Sequence, residues 1–343
     1  MEVIKANEAL SMADSPNGHA VEVSGRNQHL RFLRTMTCPT VGSYPLLSID
    51  RAMEEAGVRP FSNGQSPAEI LVAKVASRLR FMRNILRVSN GPVFVSFMGF
   101  SESKTFPFSY WNEIIPYCFD CWPNSYERWT SLFKRHRIRI AFFTARQSAQ
   151  HFASVLPNMK SVWLPEATDP FEYNPSISWL RRDIDVLELG RKDDLFHNRI
   201  ADPLAKAKRS HFFERVKGEI VFPDRAGLVE GLARSKISIC FPSSQTHPER
   251  SGTVETVTLR YFESIASKCL ILGHAPQELI DLFGYNPVIE VEWGREFEQI
   301  EFLMNSEDKV QALREKNYKR LLEVGTWKIR VAETLEVLAK FSF

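Results

Sequence analysis

The sequence predicts an α/β protein of two domains, each built on a parallel sheet. Three observations carry this. The chain has 343 residues, which suits two domains of about 150–170 residues better than one. Short apolar runs alternate with polar or helical stretches, the βα pattern of a parallel sheet. The alternation breaks once, near residues 166–180, where Glu166-Ala167-Thr168-Asp169-Pro170 and Asn174-Pro175-Ser176 are rich in turn formers.

Residues 1–28 are polar without apolar periodicity and read as a loosely structured lead-in. His29–Thr37 reads as a first strand. Cys38–Pro45 is a loop by its Pro and Gly content. Leu46–Ala56 reads as a helix ending at Gly57. Ala68–Val88 reads as an amphipathic helix, with Ile70, Leu71, Val75, Leu79, Met82 and Leu86 against Lys74, Arg78, Arg80, Arg83 and Arg87. Such a helix suits the outside of an α/β domain, or peripheral contact with anionic lipid. Pro92–Phe97, Ile138–Thr144 and Ser161–Leu164 are apolar strand candidates.

The second series reads as strands at Asp185–Leu189, Glu219–Phe222, Ile237–Phe241, Leu270–Leu272 and Val288–Val291. Between and after them, helices are predicted at Ala201–Val216, Ala226–Ser235, Thr256–Ser267, Pro276–Phe283, Ser306–Leu322 and Lys328–Lys340. The organisation is therefore 1–175, then 176–325, then a closing helix within 326–343. That helix carries an apolar stripe of Trp327, Ile329, Val331, Leu335 and Leu338. The second domain's own helices should already cover both faces of its sheet. The stripe therefore needs the first domain's surface, and the helix should cross back to it.

Apolar residues make up 44% of the chain, enough for real cores. With 44 basic and 41 acidic residues, net charge is +3, which excludes a nucleic-acid binder driven by bulk charge. Five cysteines and no signal-peptide pattern point to reduced thiols and a cytoplasmic protein. Apolar runs stay well short of 18 residues, so no membrane span is expected. Cys118-x2-Cys121 lacks the second ligand pair of a structural zinc site and reads as core.

The chemistry concentrates in ICFPSSQTHPERSGTVETVTLRYFESIASKCLILG, residues 239–273. A strand ends at Pro242-Ser243-Ser244. Glu255 and Glu263 follow with seven residues between them, and a short strand closes at Gly273. This layout places a helix N-terminus and two carboxylates at the carboxyl edge of a parallel sheet, where open α/β proteins bind nucleotides. Upstream, Gly190-Arg191 ends another strand and offers a guanidinium fork for phosphate oxygens.

These stations, in order, resemble the second domain of GT-B glycosyltransferases of the "group 1" kind. Asn317-Tyr318 through Arg330 looks like the closing helices of that superfamily. The resemblance covers roughly 185–335, and more weakly 115–175. It implies two Rossmann-like domains facing each other across a cleft. It also implies transfer of a sugar from a nucleotide diphosphate sugar to an acceptor hydroxyl, retaining and metal-independent, with no cofactor besides that co-substrate. The acceptor would be a glycan, a lipid-linked sugar or a small molecule.

By that resemblance Gly190, Arg191, Ser243, Thr256, Val257, Thr258 and Glu263 bind the donor, and Glu255 reaches its sugar. Val257 and Thr258 would open the helix and aim N–H groups at phosphate. The family's second phosphate cation, a lysine some residues after Gly-Arg, maps best on Lys206, since Lys192 is adjacent to the pair. Gly42, in the first βα loop, would approach the donor phosphates. Asp120, on a loop at the edge of the first sheet, is the candidate general base. The stretch Gln245–Gly252, with His247, Glu249 and Arg250, reads as a long surface loop. Two other readings stay open: a nucleotide-sugar epimerase on the same scaffold, and a GT-B-like binding protein without turnover.

Overall fold

The structure, a computed structural model, describes residues 29–35, 44–61, 67–68, 71, 75, 91–106, 108–190, 192–216 and 218–341. The lead-in 1–28, Gly42, Arg191 and most of the basic segment 68–88 lie outside the described residues.

The first sheet comprises β1 (Arg31–Leu33), β2 (Arg59–Phe61), β3 (Pro92–Met98), β4 (Glu113–Phe119), β5 (Ile140–Phe143) and β6 (Lys160–Trp163). Its helices are α1 (Tyr44–Glu55), α2 (Tyr126–His136) and α3 (Arg146–Val155). The order is β2-β1-β3-β4-β5-β6, parallel throughout. The second sheet comprises β7 (Ile184–Leu187), β8 (His211–Phe212), β9 (Ser235–Cys240), β10 (Leu270–Gly273) and β11 (Ile289–Glu290), in the parallel order β11-β10-β9-β7-β8. Its helices are α4 (Asp194–Lys206), α5 (Arg225–Arg234), α6 (Leu259–Ala266), α7 (Gln277–Phe283), α8 (Glu296–Met304) and α9 (Glu307–Val324), followed by α10 (Trp327–Ala339). Among the described residues no helix is long and apolar enough to cross a membrane.

Local chemistry sets several boundaries differently from the sequence reading. Asp193 caps α4 by accepting from Phe196 N at 2.9 Å, so that helix starts at 194 and ends at Lys206, not at 201–216. Asp224 caps α5 by accepting from Gly227 N at 2.7 Å. The predicted strand Glu219–Phe222 is irregular and pairs with neither sheet. The β-branched run Thr256-Val257-Thr258 stays extended, and Thr258 is the N-cap of α6. Strand β4 was hidden by Pro116. It runs in full register with β3, while its ladder to β5 is confined to Tyr117 and Cys118, beyond the proline that lacks an N–H.

Each sheet is covered on both faces. In the first, Leu46, Ile49 and Met53 of α1 share a core with Trp327, Val331, Leu335 and Leu338 of α10. Trp129, Phe133 and Phe152 of α2 and α3 fill the other face together with Cys118 and Cys121. In the second, α5, α6, α7 and α9 cover one face, and α4 and α8 the other. The chain passes between the halves twice. The two crossings run side by side, joined by Thr168 N to Gly325 O at 3.0 Å and Trp327 N to Thr168 O at 3.2 Å.

Candidate functional site

The carboxyl edges of the two sheets face each other, and the loops leaving them meet. After β9 the stretch 243–251 is two helical turns, Ser243–Thr246 and Pro248–Ser251, rather than an open loop. The second turn brings Arg250 to Asp120, which follows β4, at 3.0 Å. Asp120 holds a left-handed φ of 50°, a conformation that short polar side chains tolerate best.

Glu255 follows these turns. Its backbone N donates to Gln147 Oε1 of α3 at 2.7 Å, a contact between the halves. Its carboxylate meets His274 Nε2 at 2.9 Å, and His274 Nδ1 meets Glu290 Oε2 at 2.9 Å. Carboxylates only accept, so the ring donates on both sides when it carries two protons. His274 reaches this place because Gly273 precedes it. A Cβ at Gly273 would stand 1.9 Å from the Cys240 carbonyl oxygen, so only glycine lets β10 pass β9 this closely. Glu255 and His274 are each about one-third exposed and open to the space between the sheets.

Behind Glu255 lies Glu278, which the sequence reading did not single out. It is buried, at 4% exposure. Its Oε1 accepts from Arg146 N at the start of α3, at 2.6 Å. Its Oε2 accepts from Thr256 Oγ1 at 2.9 Å and Val257 N at 3.2 Å. Burial pushes its carboxyl up to about 7, against the pull of those hydrogen bonds. Val257 N is thus engaged with this carboxylate and not aimed at phosphate, while Thr256 meets it through its hydroxyl. Glu166, from the linker, accepts from Leu259 N at 2.7 Å in the first turn of α6. That carboxylate stands where the helix N-terminus was expected to hold an anion.

Glu263 lies on α6 but faces the linker. Its Oε1 accepts from Tyr173 Oη at 2.8 Å and Arg225 Nη1 at 2.9 Å. Arg225 Nη2 also reaches Glu172 Oε2 at 2.9 Å, and the guanidinium lies over the Tyr44 ring at 4.5 Å. Glu263 is therefore a buried carboxylate at the junction of the halves, not one presented to a ribose. Burial raises its carboxyl above the ordinary range despite Arg225.

Lys206 is exposed in the last turn of α4, and α4 runs back from the carboxyl edge, so this lysine sits at the opposite end. The cation found at the Gly190 station is Arg260. Its Nη2 is 3.3 Å from where a Cβ of Gly190 would stand. Ser243 is buried at the start of its turn, and its Oγ has no hydrogen-bond partner. Cys118 and Cys121 are free, buried thiols pushed up by burial, which fits core and not metal or redox work. At the β7–β8 end of the second sheet, Glu188, His197 and His211 bring a carboxylate and two ring nitrogens within 4.8 Å of one another.

No protein-family profile matches the chain, and no curated protein sequence does. Solved structures do. The Anabaena protein HepE in complex with UDP-glucose superposes with a TM-score of 0.55 at 10% identity, over 91% of this chain and 99% of that one. An alpha-glucosyltransferase bound to UDP and a mismatched 13-mer DNA gives 0.54 at 10%, over 90% and 98%. A glycosyltransferase from Rickettsia africae gives 0.51 at 11%, over 91% and 89%. Two parallel sheets, of six and five strands, thus join in the architecture of the GT-B glycosyltransferases.

Proposed function

We propose that this protein binds a nucleotide diphosphate sugar between its two sheets and transfers the sugar to an acceptor hydroxyl. The observation that carries the reading is that Glu255, held by His274, stands at the edge of the second sheet while Asp120, held by Arg250 from the same stretch, stands at the edge of the first. Glu255 meets the donor sugar, and His274 fixes its carboxylate. Asp120 takes the acceptor proton once Arg250 turns aside. The diphosphate lies at Gly190, met by Arg191 and by Arg260 in the role first given to Lys206. Its leaving charge is carried by these cations without a metal, and the sugar keeps its anomeric configuration. Thr256, Val257 and Glu278 shape the floor, with Ser243 buried beside it, and Gly42 keeps the part that the sequence reading gave it, close approach to the donor phosphates. HepE was solved with UDP-glucose, which supports a uridine donor.

One observation favours a second reading, a donor-binding protein without turnover. The amides of Val257 and Leu259 are already held by Glu278 and Glu166, which leaves fewer donors for a diphosphate. One experiment separates the two. A thermal-shift panel of nucleotide sugars should find a stabilising donor, because a ligand that binds only the folded state raises stability. With that donor and an acceptor pool, release of nucleoside diphosphate should follow. Glu255→Gln should keep the thermal shift and lose turnover by about a hundredfold or more. A shift without turnover selects the binding protein; no shift with any nucleotide sugar refutes both.

A further inference from the structure

We infer that Glu188, His197 and His211 form a binding site for one divalent transition-metal ion, zinc first among them, which ties the edge strand β8 to β7 and α4. The inference does not depend on the transfer activity. Three elements supply the donors. Glu188 directly follows β7, His197 lies in the first turn of α4, and His211 opens β8 opposite Val186. Glu188 Oε1 stands 2.6 Å from His197 Nδ1 and 2.7 Å from His211 Nε2. The Phe213 ring packs on both imidazoles, with centroids 4.6 Å away, and shields them from water.

The cluster is incomplete as a purely hydrogen-bonded one. Oε1 accepts on both sides, while Oε2 is buried with no partner. Glu188 is only 2% exposed. A buried carboxylate oxygen left unpaired is costly, and an ion shared with the two rings satisfies it. Two borderline imidazole nitrogens with one carboxylate suit zinc, whereas magnesium and calcium prefer all-oxygen shells. Three protein ligands leave a fourth position for water. Among the described residues no other group of three or more such donors is gathered this way.

The place explains the use. Strand β8 has two residues and lies at the sheet edge. The described residues between it and α5 are in neither helix nor strand. An ion joining His211 to Glu188 and His197 would hold this edge where ladder hydrogen bonds are few.

The test uses the full chain, stripped with EDTA and then dialysed. Zinc is titrated against a chromophoric chelator, and cobalt(II) is titrated while visible absorption is followed. About one equivalent of zinc should bind, and zinc should raise the melting temperature. His197→Gln and His211→Gln should each weaken zinc at least about tenfold and abolish the thermal shift, whereas Lys206→Gln at the far end of α4 should change neither. If a histidine variant fails to fold, the wild-type cobalt spectrum decides. Intense four-coordinate bands support the site; a pale six-coordinate spectrum overturns it. Uptake below about a tenth of an equivalent, or equal affinity in all variants, also overturns it.

Discussion

Replacing Glu278 by glutamine should stabilise the protein at alkaline pH and change it little in acid. The buried carboxyl has a pKa of about 7 in the folded protein, against an ordinary 4.5. The folded state therefore holds the proton more tightly than the unfolded chain. The resulting stability is fully present below about 4.5 and is lost as pH rises through about 7. An interval of about 2.5 pH units at about 1.4 kcal/mol each is worth about 3 kcal/mol. Glutamine has nearly the shape and donor pattern of the protonated acid. Its oxygen can accept from Arg146 N and its NH2 can donate to Thr256 Oγ1, so the substitution gives up only the 3.2 Å contact from Val257 N, a cost of about 1 kcal/mol at every pH. Near pH 4.5 Glu278→Gln should thus trail wild type by no more than about 1 kcal/mol, and between there and pH 8.5 the variant should gain about 3 kcal/mol on wild type. Urea unfolding across this range reads the difference directly. A variant less stable than wild type by about 1 kcal/mol or more at pH 8.5 would refute the reasoning, because the ionised carboxylate would then be the favoured form.

Trp327→Ala should cost about 3–5 kcal/mol by emptying the α1–α10 core, and the lowered urea midpoint checks it; a loss under about 1 kcal/mol would mean that α10 is not anchored by this ring. Arg225→Ala strands the buried Glu263 and should cost about 3–5 kcal/mol, with Glu263→Gln in the same chain recovering part of it. Failure of that rescue in denaturation curves would show that packing, not charge, dominates the junction. Added magnesium or manganese should leave donor turnover unchanged; activation of about tenfold or more would bring Asp193 and Asp194 into play as ligands.

The α/β architecture was readable because buried parallel strands are continuous apolar runs. β3, β5, β9 and β10 stand close to where such runs lie. β4 was not, since Pro116 argues against a central strand until the ladders on its two sides are known. At the site, Glu255 and Asp120 were legible as carboxylates at strand ends. Glu278 was not, because its partner Arg146 lies 132 residues away and no local pattern marks it. His274 had a cue, a histidine just after a strand-ending glycine. Lys206 failed because the capping aspartate that fixes α4 starts the helix earlier than its apolar pattern does, and so moves its end to the wrong edge. The Glu188 cluster draws on three separate elements, a spacing that no short motif encodes.

The packing of α10 into the first core has a consequence for synthesis. Phe119 and the inner face of α1 must wait for Trp327 and Val331 before their core is closed. About 200 residues separate Phe119 from Trp327, so at 5–20 residues per second a ribosome needs on the order of 10–40 s to deliver the missing helix. During that time the nascent first sheet carries an open apolar face, while the second half, whose upstream partners Glu166 and Tyr173 are already made, can close around its own sheet. The half made first is therefore the half finished last.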